Sequence, residues 1–430
     1  MAADGPLRIA LLTYRGNPYA GGQGVYVRHL SRALVELGHR VEVLSGQPYP
    51  ELDPEVALMR LPSLDLYGRA HPLRPPSPSR LRSLADWLEA AQFATLAFPE
   101  PLAFSVRAAL ALRRRRGDFD LVHDNQCLGY GLLAIERHGL PVLATIHHPI
   151  TVDLRLELAR APSARRRFLW RRWYAFRHMQ GRVARRLRRI VTDSESSRRD
   201  VCADLGVAPD RVHVVPVGVD PEAFRPPPVR RPRPGRIVTA ASADSAMKGL
   251  GHLLEALARV RARRPVELVV IGRPRRGGAT ERAVAALGLE AAVRFVSGIS
   301  EEELVALYAD AELAVVPSLY EGFSLPAVEA MACAVPLVAT TGGALPEVVG
   351  RDGEAALLVP PGDAEALAGA IECALDDAAL RRSLGERGRA RACSRWTWRH
   401  TAERTAAHYR ALLEEARGGS SGTSFRGAAG

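Results

Sequence analysis

The sequence lacks the features of an exported or membrane-spanning protein. No apolar run in its 430 residues approaches the length of about 18 that a transmembrane helix needs. Residues 1–6 contain no basic segment leading into an apolar core, so they do not resemble a secretory signal. We therefore expect a cytoplasmic protein. A peripheral contact with the inner face of the membrane is the open alternative.

Cysteine is scarce and scattered. The five cysteines form no Cys-x-x-Cys pair, and they are Cys127, Cys202, Cys333, Cys373 and Cys393. An odd number of separated thiols does not indicate a disulfide framework, and the spacing of a zinc site is missing. No Asp-x-Asp pair follows a predicted strand either. The sequence therefore indicates reduced thiols and no metal site.

Lysine is almost absent, because Lys248 is the only lysine among 59 basic residues. The formal net charge of +12 is confined to one segment. Residues 155–189 contain 13 arginines and one acid, Glu157, whereas the other 46 basic and 46 acidic residues cancel. A chain whose basic and acidic residues balance outside one short segment does not indicate a nucleic-acid-binding protein.

Short apolar segments alternate with amphipathic ones along most of the chain. Strands that are apolar throughout and alternate with helices indicate a parallel sheet covered on both faces. We predict strands at 7–14, 40–45, 121–123, 142–147, 190–193 and 212–215, and again at 236–241, 267–272, 293–297, 313–317 and 336–340. The Pro-rich residues 48–78 are predicted as a long loop.

The resulting fold class is α/β, with two doubly wound, Rossmann-like domains that face a central cleft. The predicted domains are 1–215 and 236–395, joined by a Pro-rich linker at 216–235. A C-terminal helix at 396–417 is expected, with a return to the first domain as one interpretation, and 418–430 is predicted to be disordered. Ligands of such sheets bind at the carboxyl ends of the strands.

A Gly-rich turn follows the first predicted strand. The segment Gly21-Gly22-Gln23-Gly24 leads into a helix, and such glycines let backbone amides approach a phosphate. Val27 occupies the third glycine position of the dinucleotide-binding fingerprint, so that motif is not met. A simple tight turn is an equal alternative.

Two carboxylates flank a predicted helix start near residue 325. Ser324 is predicted to cap the helix that begins near Leu325. The amides at such a helix end suit an anion, with Glu321 before the helix and Glu329 one turn inside it. This arrangement favours a phosphate-handling site over a solvated helix face.

The spacing Glu321-x7-Glu329 resembles the EX7E motif of retaining nucleotide-sugar glycosyltransferases with the GT-B fold, in particular glycosyltransferase family 4. The resemblance covers most of the chain and rests on the order and spacing of several motifs. The others are Gly21-Gly22, Thr145-Ile146-His147-His148-Pro149, Val217-Gly218-Val219-Asp220, Met247-Lys248-Gly249, Val270-Ile271-Gly272-Arg273, and Gly342-Gly343 with Pro346-Glu347.

The resemblance implies a role for each donor-site residue. Glu329 would accept hydrogen bonds from the donor ribose, and Glu321 would orient the donor sugar. Lys248 would neutralise the diphosphate leaving group, since fixed cations stabilise the charge that develops there; a solvent-facing lysine is the alternative. Further donor contacts would come from Gly21, Gly22, Ser324, Leu325, Gly272 and Arg273.

His147 would lie near the donor sugar or the acceptor hydroxyl, so the implied catalytic residues are Glu321, His147 and Lys248. The neighbouring His148 is expected on the opposite face of the strand end, in a structural role. Acceptor contacts are expected from the first domain, with Gln23, Tyr26 and Asn125 as candidates. No obligatory metal or cofactor is implied.

One departure from the family pattern concerns the diphosphate. Family members usually carry an arginine shortly before the lysine, but Ser242 stands there in this chain, and Asp244 has the wrong sign. Either another arginine such as Arg273 contacts the diphosphate, or fewer cations hold it.

The basic segment 155–189 has apolar residues at three- and four-residue steps, which predicts one amphipathic helix over about 163–189. One interpretation is a helix packed on the first domain with a solvated arginine face. The other is contact with an anionic membrane surface or a phosphate-bearing acceptor.

The expected function is retaining transfer of a hexose from a nucleoside diphosphate-sugar to a hydroxyl of a small-molecule or lipid acceptor. A UDP-sugar is favoured and a GDP-sugar is the alternative. No residue is a convincing base for double displacement. The resemblance to family 4 implies a same-face route in which the leaving diphosphate takes the acceptor proton. A GT-B epimerase or phosphorylase and a non-catalytic nucleotide-sugar-binding subunit remain as alternatives, and the sequence predicts no oligomeric state.

Overall fold

The computed structural model describes residues 5–17, 22–67, 76–241 and 244–421, with side chains up to residue 418. The chain forms two compact units. The first comprises the described residues of Met1–Asp193, Arg198–Val215 and Thr401–Gly430. The second comprises Ser194–Ser197 and Pro216–His400.

The first unit is built on a seven-stranded sheet. Its strands are β1 (Arg8–Thr13), β2 (Arg40–Ser45), β3 (Ala57–Arg60), β4 (Leu121–Asn125), β5 (Val142–Thr145), β6 (Arg189–Thr192) and β7 (Val212–Val214). They lie in the order β3-β2-β1-β4-β5-β6-β7, and every pair is parallel. Parallel neighbours place all their carboxyl ends at one edge, where the loops can gather side chains.

Helices connect these strands and cover the sheet. They are α1 (Gln23–Glu36), α2 (Leu84–Ala94), α3 (Glu100–Arg114), α4 (Gly131–Arg137), α5 (Thr151–Arg160), α6 (Ala164–Trp173), α7 (Arg177–Ala184) and α8 (Glu195–Leu205). The strand residues Leu12, Val122 and Ile190 are fully buried in one apolar cluster with side chains of these helices. Each such side chain contributes about 1.5–3 kcal/mol by leaving water.

The second unit repeats this architecture with six parallel strands. They are β8 (Arg233–Ala240), β9 (Glu267–Ile271), β10 (Val293–Val296), β11 (Ala311–Val316), β12 (Leu337–Thr340) and β13 (Leu357–Val359), in the order β10-β9-β8-β11-β12-β13. Its helices are α9 (Leu250–Arg261), α10 (Ala279–Ala286), α11 (Glu301–Asp310), α12 (Leu325–Ala332), α13 (Leu345–Val349), α14 (Ala364–Asp376) and α15 (Ala378–Arg395). The predicted α/β class with two parallel-sheet, Rossmann-like domains is confirmed.

The last helix, α16 (Trp398–Ser421), belongs mostly to the first unit, which takes it from Thr401 onward. The fully buried Tyr409 on this helix is hydrogen bonded through its hydroxyl to Nδ1 of His123 on β4, at 2.6 Å. The helix runs to Ser421, so the predicted end at 417 was too early and the predicted tail of 418–430 began too soon. Residues 422–430 lie outside the described part of the chain.

Two short strands escaped the sequence-based prediction. The loop predicted at 48–78 contains β3, whose residues Ala57, Leu58 and Met59 form a short apolar run in a Pro-rich stretch that is otherwise typical of a loop. The strand β13 has only three residues. The linker predicted at 216–235 also ended too late, because β8 begins at Arg233.

The single basic helix predicted over 163–189 was wrong. The structure has α6, a 3-10 turn at Tyr174–Phe176, and then α7, which ends at Ala184 before β6 begins at Arg189. Consecutive short helices keep the same three- and four-residue spacing, so periodicity does not reveal the breaks. Among the described residues, no helix combines the length and apolar character that crossing a bilayer requires.

Candidate active site

In the second unit, Lys248 and Glu321 form an ion pair in the loops that follow β8 and β11. Lys248 Nζ lies 2.8 Å from Oε1 and 3.0 Å from Oε2 of Glu321. The hydroxyl of Ser318 donates to the same Oε1 at 2.6 Å. The side chain of Glu321 is 8% exposed and that of Lys248 is 21% exposed. An ammonium has three donor hydrogens, so Lys248 can bind this carboxylate and a further anion.

Gly249 allows these two loops to touch. Its φ is 63°, and a Cβ on Gly249 would lie 1.9 Å from the carbonyl oxygen of Pro317. The amide of Leu319 donates to the carbonyl of Met247 at 2.8 Å beside it. The close backbone approach, which only glycine permits, holds Lys248 next to the loop that carries Glu321.

Gly343 fixes the backbone of Glu321 in the same way. Its φ is 63°, and a Cβ there would lie 2.2 Å from the carbonyl oxygen of Glu321. That oxygen accepts a hydrogen bond from the amide of Ala344 at 2.9 Å. The two carboxylate contacts of Glu321 are therefore supported by a backbone that is itself held in place.

The helix α12 begins at Leu325 as predicted, but Ser324 does not cap it with its side chain. Ser324 has a φ of 102°, in the left-handed region, and no cap hydrogen bond. Its buried Oγ has no hydrogen-bond partner within the described chain. A left-handed serine turns its hydroxyl away from the helix amides, which is why the predicted cap was wrong. Such strain is concentrated at functional sites.

Glu329 lies one turn into α12. The Tyr308 hydroxyl donates to Glu329 Oε2 at 3.1 Å. Burial raises the pKa of Glu329 to about 7, and the hydrogen bond from Tyr308 only partly offsets this. When ionised, the carboxylate can accept further hydrogen bonds from the hydroxyl groups of a ligand.

The remaining donor-site candidates are placed as follows. Gly272 follows β9 and its amide donates to Val296 at 2.7 Å, while Arg273 next to it is exposed. Gly22 is the N-cap of α1, with a φ of 73°. Gly21 and Ser242 lie outside the described residues.

Asp244, whose charge does not suit a diphosphate, has a backbone role. Its carboxylate accepts hydrogen bonds from the amides of Arg275 at 2.6 Å and Thr280 at 3.2 Å. Burial alone would raise the pKa of Asp244, but these bonds lower it below its ordinary value. Asp244 therefore organises the loop that follows Arg273.

In the first unit, the structure brings together the four remaining candidates. The ring of His147 lies between Asp193 Oδ2, at 2.7 Å from Nδ1, and Asn125 Oδ1, at 2.8 Å from Nε2. The amide nitrogen of Asn125 donates to the carbonyl of Gln23 at 3.4 Å. The ring of Tyr26 meets that of His147 edge-on, with the ring centroids 4.7 Å apart.

A second layer supports this cluster. The Tyr26 hydroxyl lies 3.1 Å from Thr145 Oγ1, and that oxygen lies 2.6 Å from Nε2 of His123. Burial lowers the pKa of His123 to about 3, so its ring is neutral at pH 7. The hydroxyl, imidazole and amide groups at this edge are thus joined by hydrogen bonds to one another.

The sequence analysis missed Asp193 and Gln126. Gln126, with a φ of 56°, accepts a hydrogen bond from the amide of His147 at 2.8 Å and donates one to the carbonyl of His148 at 2.9 Å. Both residues directly follow a strand, and that position was the available signal. His148 itself pairs with Asp153 at 2.9 Å.

No group of three or more His, Cys, Asp or Glu side chains within the described residues is placed to hold a metal ion. The chemistry that the two clusters offer is hydrogen bonding in the first unit and charge neutralisation in the second.

Comparisons with known proteins show the family of the chain. The model of the glycosyl transferases group 1 matches residues 224–391, and that of glycosyltransferase family 4 matches residues 20–223. The MMP alpha-(1->4)-mannosyltransferase of Mycolicibacterium hassiacum is 52% identical over 404 residues, which cover 94% of this chain and 98% of that protein. The chain belongs to glycosyltransferase family 4.

Other family 4 relatives differ in the activity that their names state. The D-inositol 3-phosphate glycosyltransferase of Acidothermus cellulolyticus is 30% identical, with 96% of this chain and 92% of that protein covered. Among solved structures, the sucrose-phosphate synthase of Thermosynechococcus elongatus has a TM-score of 0.74 at 26% identity, covering 95% of this chain and all of that one.

The glycosyltransferase WaaG, involved in lipopolysaccharide biosynthesis, has a TM-score of 0.65 at 18% identity, covering 95% of this chain and 98% of that one. These neighbours confirm the predicted GT-B fold.

Proposed function

We propose that this protein is a retaining α-mannosyltransferase that moves mannose from a nucleoside diphosphate-mannose to a hydroxyl of a carbohydrate acceptor. The observation that carries the proposal is the 52% identity, over 94% of the chain, with an α-(1→4)-mannosyltransferase. Identity at this level over both units is much higher than the 30% shared with the inositol phosphate enzyme.

The second unit supports the donor half of the reaction. When the bond between the anomeric carbon and the diphosphate breaks, negative charge develops on the diphosphate, and Lys248 is the cation placed to stabilise it. Glu321, held 2.8 Å from Lys248, orients the sugar through its hydroxyls. Glu329 accepts hydrogen bonds from the ribose.

Retention of configuration means that the sugar has the same anomeric linkage in the donor and in the product. An α-linked donor gives an α-linked product either by two successive inversions or by one attack on the face from which the diphosphate leaves, and two inversions require a nucleophile on the protein. The carboxylate of Glu321 is bound by Lys248 and Ser318, so it is not poised as a nucleophile. The acceptor oxygen therefore bonds to the anomeric carbon as the diphosphate departs, and the acceptor proton passes to a diphosphate oxygen.

The first unit supports the acceptor half. Asn125 and His147 present amide and imidazole groups, and Tyr26 and Gln23 lie against them. Such groups bind sugar hydroxyls through directional hydrogen bonds. We assign the acceptor hydroxyl to this cluster.

The test is a transfer assay with UDP-mannose and GDP-mannose as donors, UDP-glucose as the sugar control, and a mannoside acceptor. We expect release of one nucleotide that depends on the acceptor, and a new α-(1→4) linkage in the proton NMR spectrum. A β-linked product would contradict retention. Conversion of the donor sugar without an acceptor would show an epimerase, and no nucleotide release with any donor would show a binding subunit.

A pair of variants makes the assay specific to the site. Glu321→Gln removes the charge that faces Lys248, whereas Glu290→Gln makes the same change at an exposed position of the same unit. We expect Glu321→Gln to lower kcat about 100-fold or more. The control should keep the activity of the unmodified chain, and equal losses in both variants would contradict the assignment.

A further inference from the structure

The helix α2 exposes two large apolar side chains while its acids face inward. Leu84 and Trp87 are 66% and 59% exposed, whereas the side chain of Glu89 is only 1% exposed. Asp86 and Glu89 each accept a hydrogen bond of 2.6 Å from the inward-facing Arg107. A surface helix normally has the opposite orientation, with apolar residues toward the core. The outward face of α2 is therefore apolar.

This apolar face continues onto α6. Leu96, just beyond the end of α2, is 54% exposed, and Phe168 on α6 is 62% exposed. One turn after Phe168, Arg172 Nε donates to the carbonyl of Thr95 at 2.7 Å. The hydrogen bond joins the ends of the two helices, so their exposed apolar side chains belong to one surface.

The same surface carries four of the 13 arginines of residues 155–189. The helix α6 buries none of its residues. Its exposed arginines are Arg165, Arg166, Arg167 and Arg171. Of the 13 arginines in residues 155–189, Arg155 and Arg189 pair with Asp204 and Glu415. The other eleven form no ion pair with any residue that the structure describes.

A cavity of about 200 Å³ opens beside these helices. Its lining includes Arg172, Arg182 and His178 together with the apolar Leu102 and Phe176, and contains no acid. An apolar floor with a cationic rim suits a group that joins a phosphate to a hydrocarbon segment.

We propose that α2 and α6 form a docking surface for an anionic lipid membrane. The docking surface consists of Leu84, Trp87, Leu96, Phe168, Arg165, Arg166, Arg167 and Arg171. Its four large apolar side chains enter the boundary between headgroups and acyl chains, and its arginines pair with lipid phosphates. A second copy of the chain does not fit, because it would bring two arginine clusters of the same sign together.

The experiment is flotation of the full chain with two kinds of vesicle, phosphatidylcholine alone and phosphatidylcholine mixed with phosphatidylglycerol. We expect flotation only with the mixed vesicles, and less of it as salt rises, because salt screens exposed charges. Replacing Arg165, Arg166 and Arg167 together by Ser should lower the partition coefficient about tenfold or more.

The matched control replaces Arg113, Arg114 and Arg116 by Ser, since these are three exposed arginines of the same unit outside the docking surface. The control should float like the unmodified chain. A second variant, Trp87→Ser with Phe168→Ser, keeps every charge and should also lose flotation. All of these residues are exposed, and circular dichroism will verify that each variant is folded.

Three outcomes would overturn the proposal. They are no flotation with mixed vesicles, equal flotation with phosphatidylcholine alone, and equal losses in the two arginine triples. Capture by immobilised polyglutamate without flotation would assign the surface to an acidic protein. The assay uses no sugar donor, so its result is independent of the transferase activity.

Discussion

At the carboxyl edge of the first sheet, hydroxyl, imidazole and amide groups hydrogen bond to one another, whereas the edge of the second sheet carries an ammonium and two carboxylates. In the first unit, Asn125 is satisfied by His147 and Gln23 before any ligand arrives. In the second, Lys248 and Glu321 bind each other and keep the capacity to bind a charged group. The same parallel architecture thus carries two chemistries, one of neutral hydrogen-bonding groups and one of charged groups.

The difference extends to the backbone. The network of the first unit is built from side chains that span neighbouring strand ends. The ion pair of the second unit depends on two glycines, Gly249 and Gly343. Each lies so close to a backbone carbonyl of a neighbouring loop that a Cβ would clash with it. Side-chain changes should therefore act locally in the first unit, and backbone changes should act strongly in the second.

The largest effect should come from Lys248→Ala. In the proposed function it removes the cation that offsets the charge on the departing diphosphate, so kcat for nucleotide release should fall about 100- to 1000-fold. The measurement is steady-state kinetics at saturating donor. The comparison between the units would fail if Asn125→Ala in the first unit lowered kcat as much.

Gly249→Ala should cost about 3 kcal/mol of the free energy of unfolding, because it forces a left-handed alanine against the carbonyl of Pro317. Denaturant titration followed by circular dichroism measures this cost. Gly251 provides the matched control, since a Cβ there meets no atom within 4 Å. As Gly251 lies inside α9, Gly251→Ala should raise stability by up to about 1 kcal/mol. Equal effects at the two glycines would show that close backbone approach is not the cause.

Nucleotide affinity should rise with pH as Glu329 ionises. The pKa of Glu329 is about 7 in the free protein, and ribose hydroxyls donate to the ionised form, so binding lowers that pKa and releases a proton. Affinity for UDP or GDP should then increase by up to about tenfold per pH unit below 7 and level off above it. Calorimetric titration from pH 5.5 to 8 checks this.

Glu329→Gln cannot ionise and should bind with an affinity that is nearly independent of pH over this range. A slope that survives in Glu329→Gln would assign the titration to another group.

The smallest effect should come from Tyr26→Phe. It removes the hydrogen bond between the Tyr26 hydroxyl and Thr145, worth about 1 kcal/mol. KM for the acceptor should rise about fivefold and KM for the donor should stay unchanged, as initial-rate kinetics will show. Tyr130→Phe is the control, because it removes a hydroxyl that is hydrogen bonded to Arg182 at an exposed position outside this cluster. A rise confined to the donor KM would reverse the roles assigned to the two units.

The alternation of apolar strands and amphipathic helices predicted the two parallel sheets, because strands buried on both faces leave a clear pattern. It did not identify β3, a four-residue strand within a Pro-rich stretch, or the break between α6 and α7. The order of the family motifs predicted that Lys248 and Glu321 belong to one site, and the structure pairs them. The left-handed conformation of Ser324 was not predictable, because it depends on the path of the preceding loop rather than on serine's own preference. Asp193 was not predicted because several carboxylates follow strands in the sequence. Only the fold shows that this one contacts His147.

The hydrogen bond between His123 and Tyr409 joins residues 286 positions apart. On the ribosome, β4 is made long before α16, and the entire second unit is synthesised in between. The first unit therefore takes residues from both sides of the second unit in the chain. His123 meets Tyr409 only after the second unit has been synthesised. A message truncated after the second unit would yield all seven strands of the first sheet with the ring of His123 uncovered, so loss of a few carboxyl-terminal turns would damage the amino-terminal half of the enzyme.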